Sequence, residues 1–386
     1  MENEIYYGRG NAEMFDEYVD FINYVFGFNG NGSDFKKLLP KLYAPEYDPC
    51  GNSYVAVEDG KLKSAIGAFD HDMTVCGVYL KTRGIGNVAV HPYERSRGFM
   101  KKLLNMAIDD MIADGVVLSV LGGRRQRYNY FSYDKCGTVI SMSLNDDNMR
   151  HVFGRERKHD ITFRIVKAED TDLLAEIRAL SEAQDFVPDR TEGKRYFQIL
   201  SSWNQKVAAG FCDGSFIGYA VFQDTTVQEV LLKDPTRICD FAAALYDFRG
   251  AGKLYFKFPP FAREYITRMI RFCEHYDAEP PKMFSVLSYR PVVEAFLKLK
   301  ATYCSLPDGA LTLRVNGRGG TETIRIEVKG GVPSVVYTDD EPEYTLGHLD
   351  AMNLLFACVC PVRDDLPDFA RIWLPLPIWT YSSDAV

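Results

Sequence analysis

The sequence predicts an α+β protein of three blocks, in which the second block repeats the element order of the first. Strands followed by a helix occur twice in the same order, and a third block with its own strands and helices comes after them. No flexible linker separates the blocks. The expected domains are residues 1–155, 156–282 and 283–386.

The first block carries the clearest element signals. A strand, turn, strand pattern surrounds Glu58-Asp59-Gly60. The apolar residues after Phe99 recur at the spacing of an amphipathic helix, which Gly115 is expected to end. A nearly continuous apolar run at 116–121 is typical of a strand buried on both faces. The predicted strands are 54–57, 65–69, 74–80, 85–91 and 116–121, and the predicted helix is 99–114.

The second and third blocks carry weaker forms of the same signals. Asp170 and Thr171 are expected to cap a helix, and Asp213-Gly214 to form a turn between two strands. The predicted helices are 171–180, 238–248, 290–300 and 348–357, and the predicted strands are 207–211, 216–222, 229–232, 310–315 and 323–328. The chain ends in IWLPLPIWTYSSDAV, an apolar tail that we expect to pack against the rest of the molecule.

Composition excludes several classes of function. The net charge is −8 and the pI about 5.4, which argues against a nucleic-acid surface. No apolar run reaches the roughly 20 residues that a membrane-spanning helix needs. The nine cysteines have no paired spacing, and the N-terminal segment MENEIYYGRG lacks a signal-peptide pattern. We therefore expect a cytoplasmic protein with free thiols, no metal site and no membrane partner.

The junction GNVAVHPYERSRGFM, which begins at Gly86, is the most informative stretch. The run 84–89 matches the form G-x-G-x-x-A, but its glycines precede a strand instead of opening a helix, which argues against a dinucleotide site. The run 95–100 follows a strand and starts a helix, where free backbone N–H groups and the helix dipole favour a phosphate. Residues 81–102 hold six basic residues and one acidic residue. The alternative is a solvated helix start.

This junction resembles motif A of the GNAT superfamily of N-acetyltransferases, whose usual form is Q/R-x-x-G-x-G/A. Arg95 and Gly98 match that form, whereas Met100 stands where Gly or Ala is more common. The degenerate second copy and the third block resemble the Eis type, with two tandem mixed-sheet GNAT domains and a C-terminal sterol-carrier-protein-like domain. The resemblance implies that acetyl-CoA is bound by Val88, Ala89, Val90, Arg95, Ser96, Arg97, Gly98, Phe99 and Met100.

The same resemblance extends to the heptapeptide RYNYFSY, which begins at Arg127. It is similar to the Y-G-R-F-G-Y element of Eis-type enzymes and implies that Tyr128 is the catalytic tyrosine. A phenol near the sulfur of acetyl-CoA can act as the general acid that protonates the leaving thiolate. Tyr130 and Tyr133 are the alternatives in the same heptapeptide.

A base must remove a proton from the amine. The resemblance implies that this base is the terminal carboxylate, here that of Val386, although the family's last residue is commonly aromatic. An α-carboxylate is a weak base in water, and burial would strengthen it. His91 beside the junction is an alternative base on chemistry alone. Backbone N–H groups at Val88 and Val90 are implied to polarise the thioester carbonyl.

These interpretations predict an acetyl-CoA-dependent N-acetyltransferase that acts by direct transfer to a primary amine. The resemblance implies a cationic acceptor of the aminoglycoside, polyamine or lysine type, as a small molecule or a peptide, and a homo-oligomer with the hexamer as the implied form. Two alternatives remain open. One is a protein that binds a lipid or other apolar ligand in its C-terminal domain, and the other is a transferase that uses aminoacyl-tRNA.

Overall fold

The structure is a computed structural model that describes residues 4–28, 30, 32, 34–190, 194–359 and 365–386. The first three residues of the N-terminal segment considered above lie outside the described residues. Among the helices of the described residues, none combines the length and the apolar composition that crossing a bilayer requires.

Both strands and helices occur in every part of the described chain. Up to residue 153 they are β1 (Tyr6–Arg9), α1 (Phe15–Gly27), α2 (Phe35–Leu38), β2 (Ser53–Glu58), β3 (Lys61–Asp70), β4 (Met73–Val75), β5 (Val78–Leu80), β6 (Thr82–Val90), α3 (Phe99–Ala113), β7 (Leu118–Leu121), α4 (Arg125–Tyr128), β8 (Asp134–Cys136), β9 (Val139–Asn145) and α5 (Asp146–Phe153).

The middle of the chain also contains both strands and helices. Its elements are β10 (Ile161–Ile165), α6 (Thr171–Glu182), β11 (Phe186–Pro188), α7 (Lys194–Ser201), β12 (Lys206–Cys212), β13 (Ser215–Gln223), β14 (Thr226–Leu232), α8 (Ile238–Arg249), β15 (Lys253–Phe258), α9 (Arg263–Met269), β16 (His275–Glu279) and β17 (Lys282–Val286).

The last part begins with a long helix. Its elements are α10 (Tyr289–Tyr303), β18 (Gly309–Gly317), β19 (Gly320–Lys329), β20 (Val332–Tyr337), β21 (Tyr344–Gly347), α11 (His348–Phe356) and α12 (Asp368–Trp373). Short 3-10 turns span Ala12–Met14, Pro45–Tyr47, Pro92–Glu94, Asn129–Phe131, Ser202–Asn204 and Pro235–Arg237.

The first sheet has seven strands in the order β1-β2-β3-β6-β7-β17-β8. Helix α3 covers one face with the apolar stripe that the sequence predicts, and α1 covers the other. Alternate residues of β2 serve the two faces: Tyr54 packs with α3, and Val55 packs with α1. A helix on each face of a mixed sheet leaves only the strand ends open to a ligand.

The second sheet also has seven strands, in the order β10-β12-β13-β14-β15-β9-β16. Strands β9 and β17 do not join the sheet that contains the strand directly before them in the sequence. β9 follows directly on β8 but joins the second sheet, and β17 returns to the first sheet between β7 and β8. Strands from different predicted domains therefore pair in the same sheet. The domain limits stay a prediction from the sequence.

The third block contributes the four-stranded sheet β20-β19-β18-β21, packed with α10, α11 and the C-terminal tail. Mixed sheets and helices throughout confirm the predicted α+β class. One predicted element is wrong. The single strand expected at 74–80 is the hairpin β4–β5, because Cys76 and Gly77 both have positive φ angles and reverse the chain.

Candidate active site

The first sheet opens into a wedge where β6 and β7 diverge. The two strands pair in parallel from Thr82–Leu118 to Ile85–Leu121, where β7 ends, whereas β6 continues to Val90. The edge of β6 from Gly86 to Val90 therefore faces no strand of the described chain on that side. Its backbone N–H and C=O groups are available to an extended ligand.

A β-bulge shapes this edge. β6 pairs with β3 through Ala65–Ala89 and Gly67–Gly86, so that Asn87 and Val88 together stand opposite one residue. Asn87 has a φ angle of 52°, in the left-handed region. Bulges of this kind turn a short stretch of backbone and are common beside active sites. The predicted residue Val88 is part of the bulge and Val90 follows it by two residues, and both side chains are half-buried against the core. The side chain of Ala89, predicted with them, is fully buried on the opposite face.

The junction after β6 leads into the start of α3. Ser96 and Gly98 have φ angles of 70° and 83°, and Gly98 is the N-cap residue of the helix. No side chain forms a capping hydrogen bond at this helix start. The first N–H groups of α3 are therefore free of a protein acceptor side chain, as an anion site requires.

The side chains of the junction have roles that differ from one another. Arg97 donates hydrogen bonds to Glu58 at 2.6 and 2.7 Å and to Glu94 at 2.6 Å, so its guanidinium is held by the protein. Hydrogen bonds from Lys63 and Arg97 lower the pKa of Glu94 to about 2. Arg95 is exposed, and Phe99 is buried in the core. Of these three residues, only Arg95 has a guanidinium that is available to an anion. Arg97 and Phe99 could contact an anion only through their backbone N–H groups.

The three tyrosines of the heptapeptide have different surroundings. Tyr130 is 90% exposed, and Tyr133 is fully buried with its hydroxyl 2.7 Å from Ser119 Oγ. Tyr128 ends α4, is 5% exposed and packs in the core cluster that Val88 and Val90 border. Burial raises the pKa of Tyr128 above its usual value of 10, which keeps the phenol protonated at neutral pH.

The C-terminal tail crosses the molecule and reaches the first sheet. Its aromatic side chains Trp379 and Tyr381 are buried, as is Trp373 in α12. Thr380 lies 2.6 Å from His71 Nε2. Burial lowers the pKa of His71 to about 4, so the imidazole is neutral at pH 7. The predicted packing of the tail is confirmed for residues 373–386, whereas Ile372 is exposed.

The last four residues are held by side chains from both repeated blocks. Lys41 Nζ donates to the carbonyl oxygens of Ser383 and Ala385 at 2.6 and 2.8 Å. Trp203 Nε1 donates to the carbonyl oxygen of Ala385 at 3.0 Å, and Ser383 Oγ donates to Gln205 Oε1 at 2.8 Å. Four independent hydrogen bonds fix the direction in which the chain ends.

A buried ionic network holds Asp384. Arg190 bonds both Asp384 oxygens, at 2.7 and 2.9 Å, and both Glu229 oxygens, at 3.0 and 2.7 Å. Tyr219 donates a further hydrogen bond to Glu229 at 2.5 Å. Burial alone would raise the pKa of Asp384, but the charge and the hydrogen bonds of Arg190 outweigh it and lower the pKa. The tail is thus tied to β14 of the second sheet.

The terminal residue Val386 lies on β6 at the mouth of the wedge. A Cβ atom at Gly84 would lie 2.5 Å from Val386 Cγ2, and one at Gly86 would lie 3.0 Å from the carboxyl carbon of Val386. Only glycine at these two positions lets the chain end approach the strand so closely. The dinucleotide-like spacing of the two glycines has this structural explanation.

A cavity of about 250 Å³ opens beside Val386, between the two repeated blocks. The carboxylates of Asp70, Asp72, Asp189, Asp384 and the chain terminus lie on its wall, opposed by the cationic side chains Lys41 and Arg195. Burial lowers the pKa of Lys41 to about 7, so even this cation is only partly charged at neutral pH. Asp384 is paired with Arg190 and Asp70 with Arg83, which leaves Asp72, Asp189 and the chain terminus as the acidic groups on this wall without a salt bridge to another described residue. With Lys41 only partly charged, their sum favours a cation.

The alternative base His91 is separated from this cavity. It follows β6 by one residue and lies between the rings of Tyr24 and Tyr93, at centroid distances of 5.4 and 5.8 Å. Five residues of extended chain, about 16 Å, separate it from Gly86. His91 is not among the residues that line the cavity.

Sequence reasoning missed Lys41, Arg190 and Glu229, which hold the tail. They lie far from residues 383–386 along the chain, and no local pattern connects them. The one available signal was Gly84 and Gly86, because two glycines on one face of a strand indicate a close approach of another chain segment.

Comparison with known proteins places this geometry in a family. Residues 7–137 match the family model described as an acetyltransferase (GNAT) domain. The fold is similar to GCN5-related N-acetyltransferase from Anabaena variabilis ATCC 29413, at 13% identity over 91% of this chain and 89% of that chain, TM-score 0.65. It is similar to Eis1 from Mycobacterium abscessus, at 13% identity over 98% of both chains, TM-score 0.64. The comparison with curated proteins gave no match.

A further solved structure, from Enterococcus faecalis V583, is described as a conserved protein of unknown function and a probable N-acyltransferase. It shares 15% identity over 89% of this chain and 87% of that chain, TM-score 0.62. The chain contains a GNAT acetyltransferase domain at residues 7–137, and this domain supports an acyltransferase enzyme. Its fold has the Eis-type architecture over the full length, which confirms the predicted family resemblance.

Proposed function

We propose that the protein transfers an acetyl group from acetyl-CoA to a primary amine. The observation that carries this proposal is the position of the chain terminus, which lies against Gly86 at the mouth of the β6–β7 wedge. A carboxylate there faces both the strand edge that an acyl thioester would follow and the cavity that would hold an amine. The proposal thus assigns an acyltransferase reaction to the protein and names the terminal carboxylate of Val386 as its base.

The wedge and the junction suit acetyl-CoA. Free N–H groups at the start of α3, with Arg95 beside them, would bind the pyrophosphate. The unpaired edge of β6 would bond the amides of the pantetheine arm, and the N–H groups at Val88 and Val90 would polarise the thioester carbonyl. The bulge at Asn87 supports this, because it turns the strand where these contacts are needed.

The proposed reaction moves one acetyl group and two protons. The Val386 carboxylate takes a proton from the ammonium group, and the free amine attacks the thioester carbonyl. A C–N bond forms, the C–S bond breaks, and the Tyr128 hydroxyl protonates the leaving sulfur. The new amide nitrogen then gives up its second proton, which restores the Tyr128 phenol, and the proton on Val386 is released to solvent. The buried, protonated phenol of Tyr128 and the fixed direction of the chain end support these two roles.

The acceptor that we propose is a cation with at least one primary amine. The carboxylates of Asp72, Asp189 and the chain terminus would attract a polyamine, an aminoglycoside or a lysine side chain, and would hold its ammonium group near Val386. We further propose that the third block is a sterol-carrier-protein-like domain whose task is to deliver the tail, and that the chain works in the cytoplasm as a homo-oligomer.

The test is thiol release from acetyl-CoA with a panel of amines and a chain that keeps its natural C-terminus. The panel holds spermidine, kanamycin, a lysine peptide and phenethylamine, which differ in charge. We expect turnover with at least one polycation and a higher KM at high salt, because screening weakens attraction to the carboxylates. Faster turnover with phenethylamine than with every polycation would contradict the proposed acceptor class.

A further inference from the structure

The second sheet contains a wedge like that of the first. β14 pairs in parallel with β15 at Thr226–Tyr255 and Val227–Phe256, and the two strands then diverge, while β14 continues to Leu232. Lys233 N–H donates to Ile217 on the β13 side, and Leu232 N–H donates to the Tyr265 hydroxyl on the other side. Successive residues of β14 direct their backbone N–H and C=O groups to opposite sides. Val230, two residues before Leu232, therefore directs its N–H and C=O groups into the second wedge.

A cavity of about 430 Å³ occupies this second wedge. This volume is within the roughly 300–1,000 Å³ typical of small-molecule sites. Its wall is largely apolar and comes from the second and third blocks: Phe186, Val230, Leu232, Phe258, Phe261 and Leu299. An apolar cavity of this size, bordered by aromatic and aliphatic side chains, is suited to an aliphatic chain.

The start of α8 argues against a coenzyme A occupant. The Asp234 carboxylate accepts hydrogen bonds from the Thr236 N–H and hydroxyl groups, at 2.9 and 2.7 Å. Asp234 is the N-cap of the 3-10 turn Pro235–Arg237, which leads directly into α8, so a carboxylate of the protein already lies at this entry, whereas no side chain caps the start of α3. Asp234 would repel a pyrophosphate, whereas the apolar cavity remains open.

Cationic side chains lie where the cavity opens. An adjoining groove shares Asp185, Phe261, Glu264 and Thr302 with the cavity and is lined by Arg263, Arg268 and Arg271. Glu264 is bonded to Arg268, at 2.9 Å. Three arginines face two acidic residues in this groove, so the mouth has a positive balance even though the protein as a whole is acidic.

We propose that the second wedge binds an amphiphile with one unbranched aliphatic chain and a compact anionic head, the chemistry of a free fatty acid. The chain occupies the cavity between β14 and α10, and the carboxylate meets Arg263 and Arg271 at the mouth. This site is separate from the wedge of β6 and β7, and the proposal does not depend on the acetyl-transfer reaction.

The proposed position of the ligand's aliphatic chain is tested by variants that block the cavity. Binding of decanoate to the full-length protein is measured by calorimetry for the wild type, Leu180→Trp and Thr302→Trp, which fill the cavity from two different helices. Ala175→Trp is the matched control, because it is exposed on the same helix as Leu180 and does not line the cavity. We expect a Kd at least tenfold higher for both blocking variants and an unchanged Kd for the control. Equal Kd values for all four proteins would overturn the site.

The head-group part is tested with a charge-reversed probe. Decyltrimethylammonium, which has the same chain length, should bind the wild type at least tenfold more weakly than decanoate. The double variant Arg263→Gln/Arg271→Gln should weaken decanoate about fivefold, and Lys253→Gln on β15, outside both cavities, should have no effect. Equal binding of the two probes would overturn the anionic head. If saturating coenzyme A abolished decanoate binding, the two ligands would compete for the first wedge. That result would overturn the proposal.

Discussion

At the scale of single residues, Tyr128 is distinguished from its neighbours by burial. We expect Tyr128→Phe to lower kcat about 10²-fold with little change in the KM for acetyl-CoA, because only the proton for the leaving sulfur is lost. The measurement is steady-state thiol release. Tyr130→Phe is the matched control, since its side chain is 90% exposed. An equal loss in both variants would contradict the role of Tyr128.

His71 links the packing of the tail to pH. Its pKa is about 4 in the folded protein because burial disfavours the imidazolium, with Asp384 opposing and Lys41 reinforcing this shift, whereas the unfolded chain has the ordinary value of about 6.5. The unfolded state therefore binds more protons between these two values, and the free energy of unfolding falls as pH falls through that window.

We expect this loss to reach about 3 kcal/mol between pH 6.5 and pH 4 in the wild type. His71→Gln keeps a hydrogen-bonding group near Thr380 and cannot titrate, so its free energy of unfolding should depend less on pH in the same window. Urea unfolding at several pH values measures both proteins. Parallel pH profiles would show that His71 is not the group responsible.

At the scale of elements, the contact between the tail and β6 depends on the absence of side chains. Gly84→Ala places a methyl group 2.5 Å from Val386 Cγ2, so we expect kcat/KM to fall about tenfold or more as the chain end moves. Combining it with Val386→Ala removes Cγ2 and should restore part of the activity. A double variant no better than Gly84→Ala would contradict this contact.

The Arg190 network joins the tail to the second sheet. Arg190→Met leaves the buried carboxylates of Asp384 and Glu229 without a cation, and we expect it to cost about 3–5 kcal/mol of unfolding free energy. The control is Arg157→Met, whose ion pair with Asp247 is partly exposed and should cost at most about 1 kcal/mol. Urea unfolding measures both, and equal effects would contradict the importance of this network.

The elements of the sequence were predictable where their signals are local. The apolar stripe of α3 follows from spacing alone, and the structure buries the residues that this stripe names. The hairpin β4–β5 was missed because Cys76 is not a typical turn residue. The exchange of β9 and β17 between sheets was not predictable, because strand pairing between distant segments leaves no periodic pattern.

At the scale of the whole molecule, the candidate site is assembled from the first block, the second block and the chain end. The junction at 95–100 could be identified locally, since a strand followed by a glycine-containing helix start is a short pattern. The position of Val386 followed from a family resemblance and not from its own residues. Lys41, Trp203 and Arg190 hold the tail through contacts that span at least 182 residues.

The two wedges of the molecule have diverged in chemistry while keeping their geometry. The first has an uncapped helix start and a negatively charged cavity beside the chain end. The second has Asp234 as the cap of the 3-10 turn that leads into α8, a mainly apolar cavity and arginines at its mouth. We thus propose one wedge of the repeated fold for group transfer and the other for an anionic amphiphile.

The central claim is that the terminal carboxylate is the base of the transfer reaction. The most direct measurement compares kcat/KM of the natural chain with that of a semisynthetic chain ending in the Val386 amide, which keeps the shape and removes the charge. We expect a loss of about 10²–10⁴-fold with unchanged acetyl-CoA binding. An amidated protein with the activity of the natural chain would contradict it.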